Sequence, residues 1–114
     1  MHAAIAMISG GLGDIGQAIA RAFCREGVAV SIGDIRSGAA ASPLLTELRA
    51  GGARADYHRV DVTDEPAVAQ WIAAVTRRWG SPTIVVPNAA VFAQGTLLEL
   101  TSAQWRRDLE VNLD

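Results

Sequence analysis

There is no lysine in this sequence: all ten of its basic residues are arginine. No lysine among these 114 residues can therefore serve as a catalytic cation. Cysteine is nearly absent too. Cys24 stands alone, so neither a disulfide nor a paired-cysteine metal clip forms within the chain, and no metal site is expected. Its reading is a small apolar residue on a helix rather than a reactive thiol. Nor is there an excess of positive charge. The net charge is −2, which argues against nucleic acid as the main partner, because phosphate recognition needs a basic face. Long hydrophobic runs are missing as well. The first residues lack the basic start and apolar stretch of a signal peptide, and no run approaches a membrane span, so a cytoplasmic setting is expected.

What is present is an alternation of short apolar runs with helical periodicity. Half of the residues are hydrophobic and 19% are charged, the balance of a single globular domain with a modest core. Residues 3–8 are continuously apolar, as in a strand buried on both faces of a parallel sheet. Ile15, Ala18, Ile19, Ala22 and Phe23 follow at helical spacing, ending before Gly27. A second strand is expected at 28–32, closed by Gly33-Asp34, then a loop and a helix from Pro43 to Ala50. A third strand, nearer a sheet edge, is expected at 54–60. Val68, Trp71, Ile72, Val75 and Trp79 mark the next helix, and Thr83 to Val86 a fourth, β-branched strand. Thr101 or Ser102 caps a last helix carrying Trp105, Leu109 and Leu113. This order predicts a Rossmann-type, doubly wound α/β fold with a parallel sheet of strand order 3-2-1-4. Its ligand site lies at the switch point between strands 1 and 4.

The stretch SGGLGDIG, Ser9 to Gly16, stands where the first strand feeds the first helix. A dinucleotide site needs such a turn, with backbone N–H groups facing the pyrophosphate and a helix N-terminus behind them. Gly11, Gly13 and Gly16 match GxGxxG literally, a weak signal alone and a stronger one in this context. Asp34, at the end of the second strand, stands where an acid meets the adenosine ribose. A carboxylate there accepts hydrogen bonds from both ribose hydroxyls of NAD and repels the 2′-phosphate of NADP. The alternatives are that Asp34 merely starts a turn, or that Arg36 meets a 2′-phosphate.

These pieces resemble the short-chain dehydrogenase/reductase family. Ser9-Gly10-x-x-x-Asp14-Ile15-Gly16 is similar to its TGxxxGxG turn, and Asp61-Val-Thr-Asp64 to its adenine-contacting segment. Pro87-Asn-Ala-Ala90 is similar to its NNAG motif, and Val111-Asn-Leu-Asp114 to the start of VNxxG. The resemblance implies an NAD-dependent oxidoreductase moving a hydride between nicotinamide and a small alcohol/carbonyl substrate. It implies that Gly10 and Gly16 shape the turn and that Ile15 offers its backbone near the pyrophosphate. Asp61 and Val62 would meet adenine, and Asn88, Ala89 and Ala90 would floor the nicotinamide ribose. Asn112 would hold a water of the proton relay, and the protein would be a homo-oligomer.

The sequence also departs from the family. Asp14 replaces a motif glycine and is expected to cap the first helix, facing away from the phosphates. Pro87 replaces an asparagine, tolerable only at a strand end, and Ala90 replaces a glycine. The family's Ser and YxxxK do not occur here: the only tyrosine is Tyr57, in the expected third strand. Residues 1–114 are therefore expected to be the N-terminal, incomplete part of one NAD-binding Rossmann domain, inactive alone. The alternatives are a non-catalytic nucleotide-binding or interaction module, and a methyltransferase-like fold for a different adenosine cofactor. The Asn88 and Asn112 motifs count against the latter.

Overall fold

The computed structural model describes residues 4–88. In chain order the elements are β1 (Ile5–Ser9), α1 (Asp14–Arg25), β2 (Ala29–Asp34), α2 (Gly38–Ala50), β3 (Ala55–Arg59), α3 (Glu65–Trp79) and β4 (Ile84–Pro87). All five residues of β1 are buried. That follows from its place, because β1 pairs in parallel with β2 on one side (Ile5 opposite Ala29) and β4 on the other (Ala6 opposite Ile84). The sheet order is β3-β2-β1-β4, as the alternation predicts, with β3 at an edge. Pro87 ends β4 opposite Ser9, where a missing N–H removes no interior rung. The expected fourth helix, with Trp105, Leu109 and Leu113, lies outside the described residues.

Side chains alternate across the sheet and split the core in two. Ile5, Met7 and Ala29 pack with Val68, Trp71, Ile72 and Val75 of α3. Ile8, Val30 and Ile32 pack with Ala20 of α1 and Leu44 and Leu48 of α2. Trp71 lies across β2, its Nε1 donating to Ser31 Oγ at 2.8 Å. A Cβ on Gly33 would meet the Trp71 ring at 2.6 Å, so the small residues of this strand face make room for the indole. Asp64 starts α3, accepting from the Ala67 N–H at 3.2 Å, with Pro66 in the first turn. At the β3 edge, Asp56 Oδ2 lies 3.3 Å from His58 Nε2 and 3.6 Å from Arg78 Nη1. Burial pushes the Asp56 carboxyl up, but its His58 hydrogen bond and the nearby charges outweigh this and hold it below the usual range.

Two local readings are corrected. Helix α2 begins at Gly38, five residues before Pro43, which sits inside it. Ala39, Ala40 and Ala41 are strong helix formers, and Pro43 is exposed, so its ring stands away from the core. In α1 the buried residues are Gly16 and Ala20, with Ile19 and Phe23 packed beside them. Ala18 and Ala22 are exposed and Ile15 is 68% exposed. The helix lies so near the turn that only its smallest residues fit underneath, which turns the expected Ile15 face outward.

Candidate cofactor site

The strand-to-helix turn is held from below. Gly10 N and Gly11 N both donate to Gly33 O, at 2.8 and 3.3 Å, tying the turn to the end of β2. Gly10 has φ +65°, a left-handed conformation that glycine adopts without penalty. A Cβ on Gly11 would collide with Ile32 Cγ2, and one on Gly16 would stand 2.5 Å from Gly10 O and 2.6 Å from Gly11 Cα. Gly13 differs: its Cβ would meet only Gly10 O, at an ordinary 3.6 Å. Of the literal GxGxxG trio, then, space demands glycine at 11 and 16 and not at 13.

The expected cap at Asp14 is not formed. Gly13 is the N-cap of α1, no side chain caps this end, and Asp14 is the first helical residue, exposed. The reason is geometric. A capping side chain folds forward from a residue of extended backbone, as Gly13 has with ψ 168°, whereas Asp14 is already helical. Asp14 still complements the helix dipole. The N–H groups of Asp14, Ile15 and Gly16 consequently have no partner among the described residues, leaving the helix end able to receive an anion. With no donor committed to its carboxylate, Asp14 contributes only repulsion to a bound pyrophosphate. Asp14→Asn in the full-length protein is expected to tighten NAD binding about two- to fivefold, the range of such helix-end charge effects, as titration calorimetry would show.

Asp34 is built into the same turn. Its Oδ2 accepts from Leu12 N and its Oδ1 from Arg36 N, each at 3.2 Å. Arg36 Nη1 donates to Leu12 O at 3.2 Å, and Arg36 Nε stands 4.0 Å from Asp34 Oδ1. A cavity of about 280 Å³ opens beside it, lined by Gly10, Gly33, Asp34, Ile35, Val60, Asp61, Val62 and Thr63. That volume is at the small end for ligand sites and suits a nucleoside-sized group. Asp61 heads a turn, its Oδ1 accepting from Thr63 N at 2.9 Å and Thr63 Oγ1 at 2.7 Å. The hydroxyl and amide of Thr63 hold the Asp61 carboxyl below the usual range, and its Oδ2 has no partner among the described residues. The residues present thus fit an adenosine: apolar walls from Ile35, Val60 and Val62, with the carboxyl groups of Asp34 and Asp61 as acceptors in the same lining.

On the β4 side, Asn88 N donates to Ser9 Oγ at 3.0 Å and Asn88 Nδ2 to Gly10 O at 3.3 Å. Asn88 thereby fixes the far edge of the glycine turn. The structure brings together Ser9, Gly10, Gly11, Gly13, Ile15, Gly16, Asp34, Asp61, Val62 and Asn88 along one end of the sheet. Ala89, Ala90 and Asn112 lie outside the described residues. Sequence reasoning missed Leu12, whose buried backbone joins Asp34 and Arg36 to the turn, and Ile35 on the cavity rim. Ile35 carried a signal, an apolar residue directly after the strand-end acid; Leu12 carried none. No group of three or more His, Cys, Asp or Glu among the described residues is placed to hold a metal ion, and no helix there is long and apolar enough to cross a membrane.

A parallel sheet of order 3-2-1-4, with a glycine turn at its switch point and an acid at the end of β2, defines a Rossmann-type α/β domain. Comparison with known proteins carries this further: the chain belongs to the short-chain dehydrogenase/reductase family. A family model described as enoyl-(acyl carrier protein) reductase matches residues 11–114. The chain is 38% identical over 110 residues to cis-4-hydroxycyclohexanecarboxylate dehydrogenase of Sinomonas cyclohexanicum, covering 96% of this chain and 43% of that protein. It is 36% identical over 108 residues to sorbitol dehydrogenase of Cereibacter sphaeroides, covering 95% and 41%. The structure of an NAD+-bound xylitol dehydrogenase superposes with a TM-score of 0.82 at 23% identity, over 90% of this chain and 48% of that one, which shows the shared fold. The chain spans about two-fifths of the length of the curated relatives it matches.

Proposed function

We propose that this chain is the NAD-binding portion of a short-chain dehydrogenase that moves a hydride between nicotinamide and a small alcohol/carbonyl pair. The observation that carries the reading is the cavity beside the glycine turn whose lining includes Asp34, Asp61 and Val62. Asp34 and Asp61 bind the ribose and adenine edges, and the open N–H groups of Asp14, Ile15 and Gly16 receive the pyrophosphate. Asn88, with Ala89 and Ala90, forms the floor on which the nicotinamide ribose rests. When bound, the nicotinamide supplies the hydride acceptor or donor. Asn112 supports the proton relay through a held water. The general acid/base comes from a Ser and a YxxxK pair in the rest of the full-length protein, since Tyr57 on β3 lies on the adenosine side of the sheet.

NAD is favoured over NADP because Asp34 places a carboxylate beside the 2′ position and because Arg36 is already engaged with Asp34 and Leu12 O. The full-length protein is expected to bind NAD and to form NADH, seen by its absorbance, with a secondary alcohol from a panel that includes cyclic hydroxyacids and polyols. Binding without turnover of any alcohol or carbonyl, in a protein lacking Ser and YxxxK, would favour the non-catalytic module. Absence of NAD binding would sink both the dehydrogenase and the nucleotide-binding module and leave the interaction module.

A further inference from the structure

The segment that carries the cavity rim is gripped from the neighbouring strand. The β2–β3 ladder ends at Asp34 opposite Arg59, so the chain beyond it needs other partners to keep its course. It finds them on β3. Tyr57 Oη donates to Asp34 O at 3.0 Å and also reaches Arg36 O. Arg59 Nε donates to Ile35 O at 3.0 Å, and Val60 N to Asp34 O at 2.9 Å. The carbonyls of residues 34 to 36 are thus met by side chains two residues apart on one face of the edge strand, the single Tyr57 proton being shared between those of Asp34 and Arg36. Neither Tyr57 nor Arg59 lines the cavity, whereas Asp34 and Ile35 do. Ile35 is 66% exposed, so its own packing does not hold the rim in place.

We propose that Tyr57 and Arg59 are positioning residues for the adenosine half of the dinucleotide. By clamping residues 34–36 they keep the Asp34 carboxylate at the ribose and so set both NAD affinity and the discrimination against a 2′-phosphate. This rests on the dinucleotide reading above. Burial and the Asp34 charge hold the Tyr57 phenol above its usual range, so it remains a donor at neutral pH. The phenol therefore serves the clamp as a permanent donor, a different task from proton transfer.

The test compares Tyr57→Phe and Arg59→Gln with the wild type, all in the full-length protein, measuring dissociation constants for NAD and NADP together with the melting temperature. Loss of one such hydrogen bond is expected to weaken NAD about three- to tenfold. NADP should weaken less, so that the preference for NAD narrows about two- to fivefold in each variant. A purely structural role would weaken both dinucleotides in proportion. That proportional result, or unchanged affinities, would overturn the clamp while leaving the dinucleotide reading intact. A wild-type protein that binds neither dinucleotide would instead overturn that reading, and the clamp with it.

Discussion

Gly16→Ala is expected to destabilise the domain by about 1–3 kcal/mol, the usual cost of overpacking a tight contact, and to weaken NAD at least tenfold. Helix propensity alone points the other way, since alanine gains about 1 kcal/mol over glycine inside a helix. The contact decides the sign. The new methyl would lie 2.5 Å from Gly10 O and 2.6 Å from Gly11 Cα, about 1 Å inside ordinary van der Waals separation. Both obstacles are backbone atoms, and Gly10 and Gly11 are themselves tied to Gly33 O, so the turn cannot step aside. The start of α1 must retreat, taking the open N–H groups of Ile15 and Gly16 away from the pyrophosphate. Gly13→Ala is the matched control, because its methyl meets only an ordinary 3.6 Å contact. Thermal denaturation and NAD titration of the two variants check this; equal melting temperatures and affinities for both would show that the close packing of α1 on the turn is not needed.

Asp34→Ala is expected to narrow the preference for NAD over NADP about ten- to a hundredfold, equivalent to the loss of about 1.5–3 kcal/mol of charged hydrogen bonding. An ionised carboxylate accepts about four hydrogen bonds. The Leu12 and Arg36 amides take one on each oxygen, so one site on each remains for a ribose hydroxyl. Removing the carboxylate also frees the Arg36 guanidinium, now 4.0 Å from Asp34 Oδ1, to meet a 2′-phosphate. Both changes act in the same direction. Steady-state measurements with each cofactor would show the shift, and an unchanged ratio would place the ribose elsewhere. Because Asp34 also holds Leu12 N, some loss of thermal stability accompanies the change in preference.

The sequence by itself determined the order of the elements, the parallel 3-2-1-4 sheet, the glycine turn after the first strand and the acid after the second. These are written in short-range patterns: an unbroken apolar run for a strand buried on both faces, helical spacing for each crossover, glycines where the backbone must turn sharply. Asp61, Val62 and Asn88 entered differently, through the resemblance of their short motifs to those of the family rather than through periodicity or spacing. Only the tertiary structure decided what depends on distant segments meeting. Which face of α1 is buried follows from how near the helix lies to Gly10 and Gly11, so Ile15 faces out although its spacing suits the core. Asp14 gives up the cap to Gly13 because backbone conformation, not side-chain type, selects the capping position. Gly33 must stay small because Trp71 of α3 lies on it. The hold of Tyr57 and Arg59 on residues 34–36 exists only because β3 docks beside β2. No local pattern encodes such contacts, since they join residues that share no helix turn or strand and meet only once the sheet is assembled.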